Sequence, residues 1–279
     1  MKDKVMKDID EMKRTLARIF LVLLGLAALG EHAAAQDLTD VDEIVQRANT
    51  AAYYAGGDGR ARVRMTITDA SDRSRVRQFT ILRRNVQEGG DQDYVVLFSR
   101  PADLRGTVLL VNKHVDGDDD RWLYLPSLDL VRRIAAGDKR TSFVGSHFLY
   151  EDVSGRRLED DRHELLETTD THYVVKNTPL ERAGQEFESW TVWIDKTTFL
   201  PSTMEYVDDT GEVYRRIEAL EVQEIDGIAT VTRMRASDLR SGGNTVSEFS
   251  DVEYGLGIPA DVFTERTMRS PPRRWFPRR

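Results

Sequence analysis

From Arg60 onward the chain alternates sides. In "RARVRMTITD", Arg60 to Asp69, the residues Ala61, Val63, Met65 and Ile67 fall on one face, and Arg60, Arg62 and Arg64 on the other. A period of two with one dry face and one wet face is the mark of a half-buried strand. The pattern recurs through "VRQFTILR", "GTVLLV", "RWLYL", "LVRRI", "RHELLET", "HYVVKN", "FESWTVWID", "STMEYVD", "EVYRRIEALEVQEI", "IATVTRMRASDLR" and "TVSEFSDVEY". Between the runs lie "DASDRS", "DDTG", "EIDG" and "SGGN", whose Asp, Asn and Gly tolerate the positive φ of tight hairpins. No strand–helix–strand alternation appears. The pattern predicts a mainly β protein: an antiparallel sheet of about 11 strands that curls toward a barrel.

One helix is expected ahead of the strands. In "LTDVDEIVQRANTA", Thr39 or Asp40 is a plausible N-cap, and Val41, Ile44, Val45 and Ala48 recur at helical spacing. A curled sheet of this size can enclose more space than its own side chains fill. The inner-face candidates are Met65, Ile67, Phe79, Ile81, Leu109, Val111, Leu123, Leu125, Trp190, Val192 and Met204. Two readings of them stand side by side: an ordinary core, which any half-buried sheet builds this way, or a cavity wall suited to an acyl chain.

Composition removes several functions. The formal net charge is −8, with Lys+Arg 40 against Asp+Glu 48, so no global basic field draws the chain to nucleic acid. The absence of cysteine removes disulfides, thiolate metal sites, a cysteine nucleophile and an acylated N-terminal cysteine. "HELLE" at His163 lacks the second histidine of a zinc-protease helix. "DGDDDRWLYLPS" begins like a calcium loop, but Arg121 stands at the glycine position and Ser127 at that of the bidentate glutamate. No catalytic residue, metal site or cofactor is expected, and the chain does not read as an enzyme.

The N-terminus carries a targeting signal. Lys13, Arg14 and Arg18 precede an apolar run from Ile19 to Leu29, followed by Ala33 and Ala35 before Gln36. The run is too short for a membrane span, which needs about 20 residues, and reads as a signal peptide over residues 1–35, with translation starting at Met12. Export into the periplasm as a soluble protein is the expectation. A main domain is then expected over residues 36–268 and a flexible basic tail over 269–279, where "SPPRRWFPRR" reads either as a solubilising linker or as a transient contact to an anionic membrane.

The middle of the chain is its most distinctive part. It holds Arg105, Gly106 and Thr107, then "WLYLP" at Trp122 to Pro126, the pair Arg132 and Arg133, Lys139 and Arg140, Phe143, Gly145, Ser146, Phe148, and "YED" at Tyr150 to Asp152. This series, with "VWIDKTTFLP" at Val192 to Pro201, resembles the LolA-like family of outer-membrane lipoprotein-sorting proteins. His147 departs from it, standing where an acidic residue is expected. The resemblance implies an unclosed half-barrel whose concave face, covered by the N-terminal helix and short helices and loops, shelters lipid or lipoprotein acyl chains. It implies a monomeric carrier that meets an inner-membrane transporter and an outer-membrane acceptor. The alternative is an accessory module of a resistance–nodulation–division type transporter that carries no lipid itself. A barrel embedded in the membrane fits less well, because arginine and glutamate occupy the face opposite the apolar one.

Within that frame "AAGDKRTSFVGSHFLYED" is the expected flap over the open side. Arg105, Tyr124, Arg132, Arg133, Arg140, Phe143, Phe148 and Tyr150 are the candidates for its rim and latch. An arginine near a greasy mouth can fork onto a phosphate or carboxylate, or hold a lid by bonding its carbonyls. The competing reading is an internal ion pair with Glu151, Asp152 or Asp160.

Overall fold

The computed structural model describes residues 37–276 apart from Ala183. The expected signal peptide and its start at Met12 lie outside the described residues. Helix α1, Val41–Asn49, is capped by Asp40, whose carboxylate accepts from the backbone N–H of Asp42 at 3.0 Å and of Glu43 at 3.3 Å. Two acidic residues in its first turn and Arg47 in its last match the helix dipole. The chain runs on through one wider turn, Thr50–Tyr54, and leaves the helix at Gly56 and Gly57, both at positive φ. At Gly56 a Cβ would lie 2.5 Å from the Tyr254 ring, so only glycine fits there.

Thirteen strands follow, all paired antiparallel in one sheet. They are β1 Asp58–Thr68, β2 Ser74–Asn85, β3 Gln92–Arg100, β4 Val108–Lys113, β5 Asp120–Leu125, β6 Leu130–Ile134, β7 Asp161–Thr168, β8 His172–Pro179, β9 Ser189–Asp195, β10 Pro201–Val207, β11 Val213–Ile225, β12 Ile228–Asp238 and β13 Asn244–Tyr254. Two helices of one turn and a half complete the fold, α2 Tyr150–Ser154 and α3 Glu265–Arg269. The sheet order is β6-β5-β4-β3-β2-β1-β13-β12-β11-β10-β9-β8-β7. Strands β6 and β7 are therefore its two edges, and the sheet is an unclosed half-barrel. Among the described residues 13 strands are present, against the expected count of about 11.

This order dictates the next feature. Because β6 and β7 are consecutive in sequence yet lie at opposite edges, residues 135–160 must cross from one edge to the other. The crossing strap packs Phe143, Phe148 and Tyr150 into a cluster with Met65, Phe79, Val96, Phe98 and Leu109, the inward residues of β1 to β4. Phe143 meets Phe98 at 5.8 Å, Phe79 at 5.9 Å and Tyr150 at 5.6 Å between ring centres. The expected flap is thus the strap, and its aromatics are its anchors.

The outer face of β2 to β5 is also apolar. In β3, Tyr94, Val96 and Phe98 face the inner cluster, whereas Val95 joins Leu82, Val108 and Leu110 in a second cluster with Ile258, Val262, Phe263, Met268, Trp275 and Phe276. Asp58 starts this layer: its carboxylate accepts from the N–H of Leu256 at 2.6 Å and of Ile258 at 2.7 Å, turning the chain back over the sheet. Here the expectation of a flexible tail from residue 269 is corrected. Trp275 and Phe276 are 7% and 6% exposed and complete the outer layer. Their apolar area covers strands that would otherwise face water on one side, and burial of that kind outweighs the entropy of a short segment.

Candidate functional site

The concave face encloses a cavity of about 310 Å³. Its walls are Ala61, Val63 and Met65 of β1, Phe79 and Ile81 of β2, Tyr94 and Val96 of β3, Met204 of β10, Met234 of β12 and Phe249 of β13. Phe143, Phe148 and Val153 of the strap form its floor, and the turn at Ala51 to Tyr53 borders it. A smaller cavity of about 100 Å³ lies between α1 and the inner face of β8 to β11, where Val192 and Trp190 contribute. Ala52, Tyr53, Asp152, Met204 and Met234 line both. Valine, alanine, phenylalanine, methionine and tyrosine make up most of the main cavity's wall, and methionine adapts to irregular apolar guests.

Below the cavities the strap is held by buried charge. Arg140 donates to Glu151 at 2.7 Å and to Glu186 at 3.0 Å. Arg156 donates to Asp161 at 2.8 Å and to Glu151 at 3.3 Å, and the Nζ of Lys139 lies 3.4 Å from Glu151. On the other carboxylate of the "YED" motif, Asp152 pairs with Arg215 of β11. Aromatic faces complete the cage: Arg140 lies 4.6 Å from the Phe187 ring centre and Arg215 4.9 Å from that of Tyr206. Burial pushes the Glu151 carboxyl up, but Arg140, Arg156 and Lys139 together hold it below its ordinary value.

The far end of α2 is tied to the opposite half of the sheet. Lys113 of β4, 2% exposed, donates to the Ser154 carbonyl at 2.8 Å. The Ser154 hydroxyl donates to Asp119 at 3.1 Å, which also pairs with Arg121 at 2.5 Å. Desolvation pushes the Lys113 ammonium down to about 8. Helix α2 therefore staples β4 and β5 to β7 and β11 across the open side. Its end is marked by Gly155 at φ +76, where a Cβ would lie 2.7 Å from the Tyr53 ring.

A second clamp acts at the mouth. Arg83 of β2 donates to the carbonyls of Tyr53 and Ala55, in the turn after α1, and Gln92 donates to the Tyr53 carbonyl at 2.7 Å. The arginines expected at the rim or latch were Arg105, Arg132, Arg133 and Arg140; Arg83, outside that set, bonds the carbonyls of the turn after α1.

Six of the expected residues line the main cavity: Met65, Phe79, Ile81, Met204, Phe143 and Phe148. Trp190 and Val192 line the smaller one. Ile67, Leu109, Val111 and Leu123 belong to the packed core, with Leu125 against it, and they border neither cavity. The rim group is not brought together. Arg140 and Tyr150 belong to the strap and are buried. Tyr124 faces the outer cluster, Arg105 and Arg132 are exposed, and Arg133 pairs with Asp120 on the outer edge. The reading of an internal pair with Glu151 holds for Arg140. Sequence reasoning missed Tyr53, Arg83, Lys113, Arg156 and Arg215. Arg215 had a signal in "YRRI", where it occupies a place that the period assigns to the interior. His163 is satisfied within the fold by Asn177 at 2.7 Å and the Leu158 carbonyl at 3.1 Å.

A protein-family model described only as "Uncharacterized protein" matches residues 90–270, well over half of the chain. Among solved structures, a DUF1329 family protein from Desulfovibrio piger superposes with a TM-score of 0.74 at 28% identity, over 82% of this chain and 97% of that one. A putative outer membrane lipoprotein-sorting protein domain from Vibrio parahaemolyticus gives 0.74 at 27%, over 81% and 97%. A LolA superfamily protein from Nitrosomonas europaea shares the fold, with 0.64 at 20% over 82% and 99%. No curated protein matches the chain.

Proposed function

Since this chain belongs to the LolA-like family of lipoprotein-sorting type proteins, we propose that it is a periplasmic carrier. It shelters lipid, or the acyl chains of a lipoprotein, in its half-barrel for transfer toward the outer membrane. The observation that carries this reading is the cavity of about 310 Å³, walled by methionine, phenylalanine and aliphatic side chains inside the concave face. A concave apolar pocket of that size offers an acyl chain a surface on which to leave water. Transport in the periplasm also accords with the "lipoprotein-sorting" designation of the Vibrio protein. No helix among the described residues is long and apolar enough to cross a membrane.

Native mass spectrometry of protein purified from periplasm without detergent tests the reading, with solvent extraction of whatever is bound. The expected result is a discrete lipid or acylated peptide near one per chain, reduced in Ile81→Glu, which sets a charge in the cavity wall. A wild-type protein that emerges empty and refuses added lipid would overturn it in favour of an accessory of a membrane transporter.

A further inference from the structure

The cavity has a side wall that is not hydrogen-bonded shut. The ladder between β12 and β13 runs only from Ser237↔Asn244 to Arg233↔Glu248, although β12 begins at Ile228 and β13 continues to Tyr254. The strands part because β13 follows β1 instead. It pairs as Arg62↔Ser250, passes a bulge, and resumes at Arg60↔Glu253, with Asp251 at φ +49 making the bend. On its other side β11 loses β10 after Thr203↔Glu218, where Pro201 has no N–H to extend a ladder. Residues 219–232 are thus a two-stranded ribbon, paired internally from Val222↔Val231 to Ile225↔Ile228. Two bulges, at Ala219/Glu221 and Glu221/Val222, lie at its base.

The main cavity lies behind this parting. Thr230 and Val231 from the ribbon and Phe249 and Val252 from β13 all line it. Across the parting the described residues show one polar tie, the hydroxyls of Thr230 and Tyr254 at 2.9 Å. The other cover of the cavity is held far more firmly, since the strap carries the buried pairs at Glu151 and Asp152. Parting β12 from β13 breaks one hydroxyl pair, whereas lifting the strap separates several buried charges from their partners.

We propose that a single acyl chain enters and leaves sideways, between β12 and β13, with the β11–β12 ribbon swinging as a gate and the strap staying closed. The proposal rests on the carrier reading. The chain contains no cysteine, so paired cysteines can lock either route selectively. Thr230→Cys with Val252→Cys, joined by a short bismaleimide, fixes the parting. His147→Cys with Thr245→Cys fixes the strap by a disulfide, at a site where the His147 N–H donates to the Thr245 hydroxyl at 3.0 Å. Each is mixed with pyrene-labelled hexadecanoic acid in stopped flow, and compared with the same variant left unlocked. Locking the parting is expected to slow uptake about tenfold or more, because gate opening then limits entry, while locking the strap leaves the rate within about twofold. Equal uptake with the parting locked, or loss only with the strap locked, overturns the gate and leaves the carrier reading standing. No binding by the wild-type protein overturns both.

Discussion

At the scale of residues, the buried charges decide more than the exposed ones. Glu151 is 4% exposed and faces Arg140, Arg156 and Lys139, so Glu151→Gln takes a shared counter-charge from three cations at once and leaves them to Glu186, Asp161 and Asp160. We expect a loss of about 3–5 kcal/mol in urea unfolding, against less than about 0.5 kcal/mol for Arg132→Gln with Arg133→Gln, both exposed. Lys113 sets a pH dependence. Its folded value, about 8, lies below the ordinary 10.5, so between the two the unfolded chain binds the extra proton and rising pH favours the folded state. Stability should therefore climb from about pH 8 to about pH 9.5, below the ionisation of free tyrosine, and Lys113→Met should flatten that climb in pH-resolved melting. The doublet Arg132–Arg133 stood out in the sequence because it interrupts an apolar run. That signal does not tell an edge strand, where both faces of the chain meet water, from an interior one. Arg83 shares the inward period of Phe79 and Ile81, and Arg215 that of Ile217, but only their tertiary neighbours made them clamps.

At the scale of elements, hairpins were legible and long connections were not. Turn chemistry and period locate β1 to β13 to within a few residues, because both are local. The strap and the C-terminal layer are irregular backbone, held by side chains that bury far from their own sequence neighbours. Proline and arginine in "SPPRRWFPRR" read as a tail, yet Trp275 lies against the outer face of the sheet. In "YVVLFS", Tyr94 to Ser99, both faces of the strand are apolar, which requires a cover on the outer face as well as the inner one. We expect Trp275→Ala to destabilise the protein by about 3–5 kcal/mol in denaturant unfolding, and a wild-type midpoint in that variant would show the layer to be a loose appendage.

At the scale of the whole molecule, the open sheet makes the site. Its edges are β6 and β7, so the connection between them has to span the concave side, and the spanning strap leaves a void where α2 and the inner strand faces do not meet. Alternation and turn residues determined by themselves that this chain builds an antiparallel, curling sheet with an early helix, since each is set by φ, ψ and side-chain direction within a few residues. The "KR" and "YED" elements of the strap marked the family. Which apolar residues fill a core and which line a cavity was decided only in the tertiary structure. Leu109 and Met65 carry the same inward periodicity and join the same core cluster, yet only Met65 also lines the main cavity. That depends on contacts between residues distant in sequence, where packing and not period fixes the outcome.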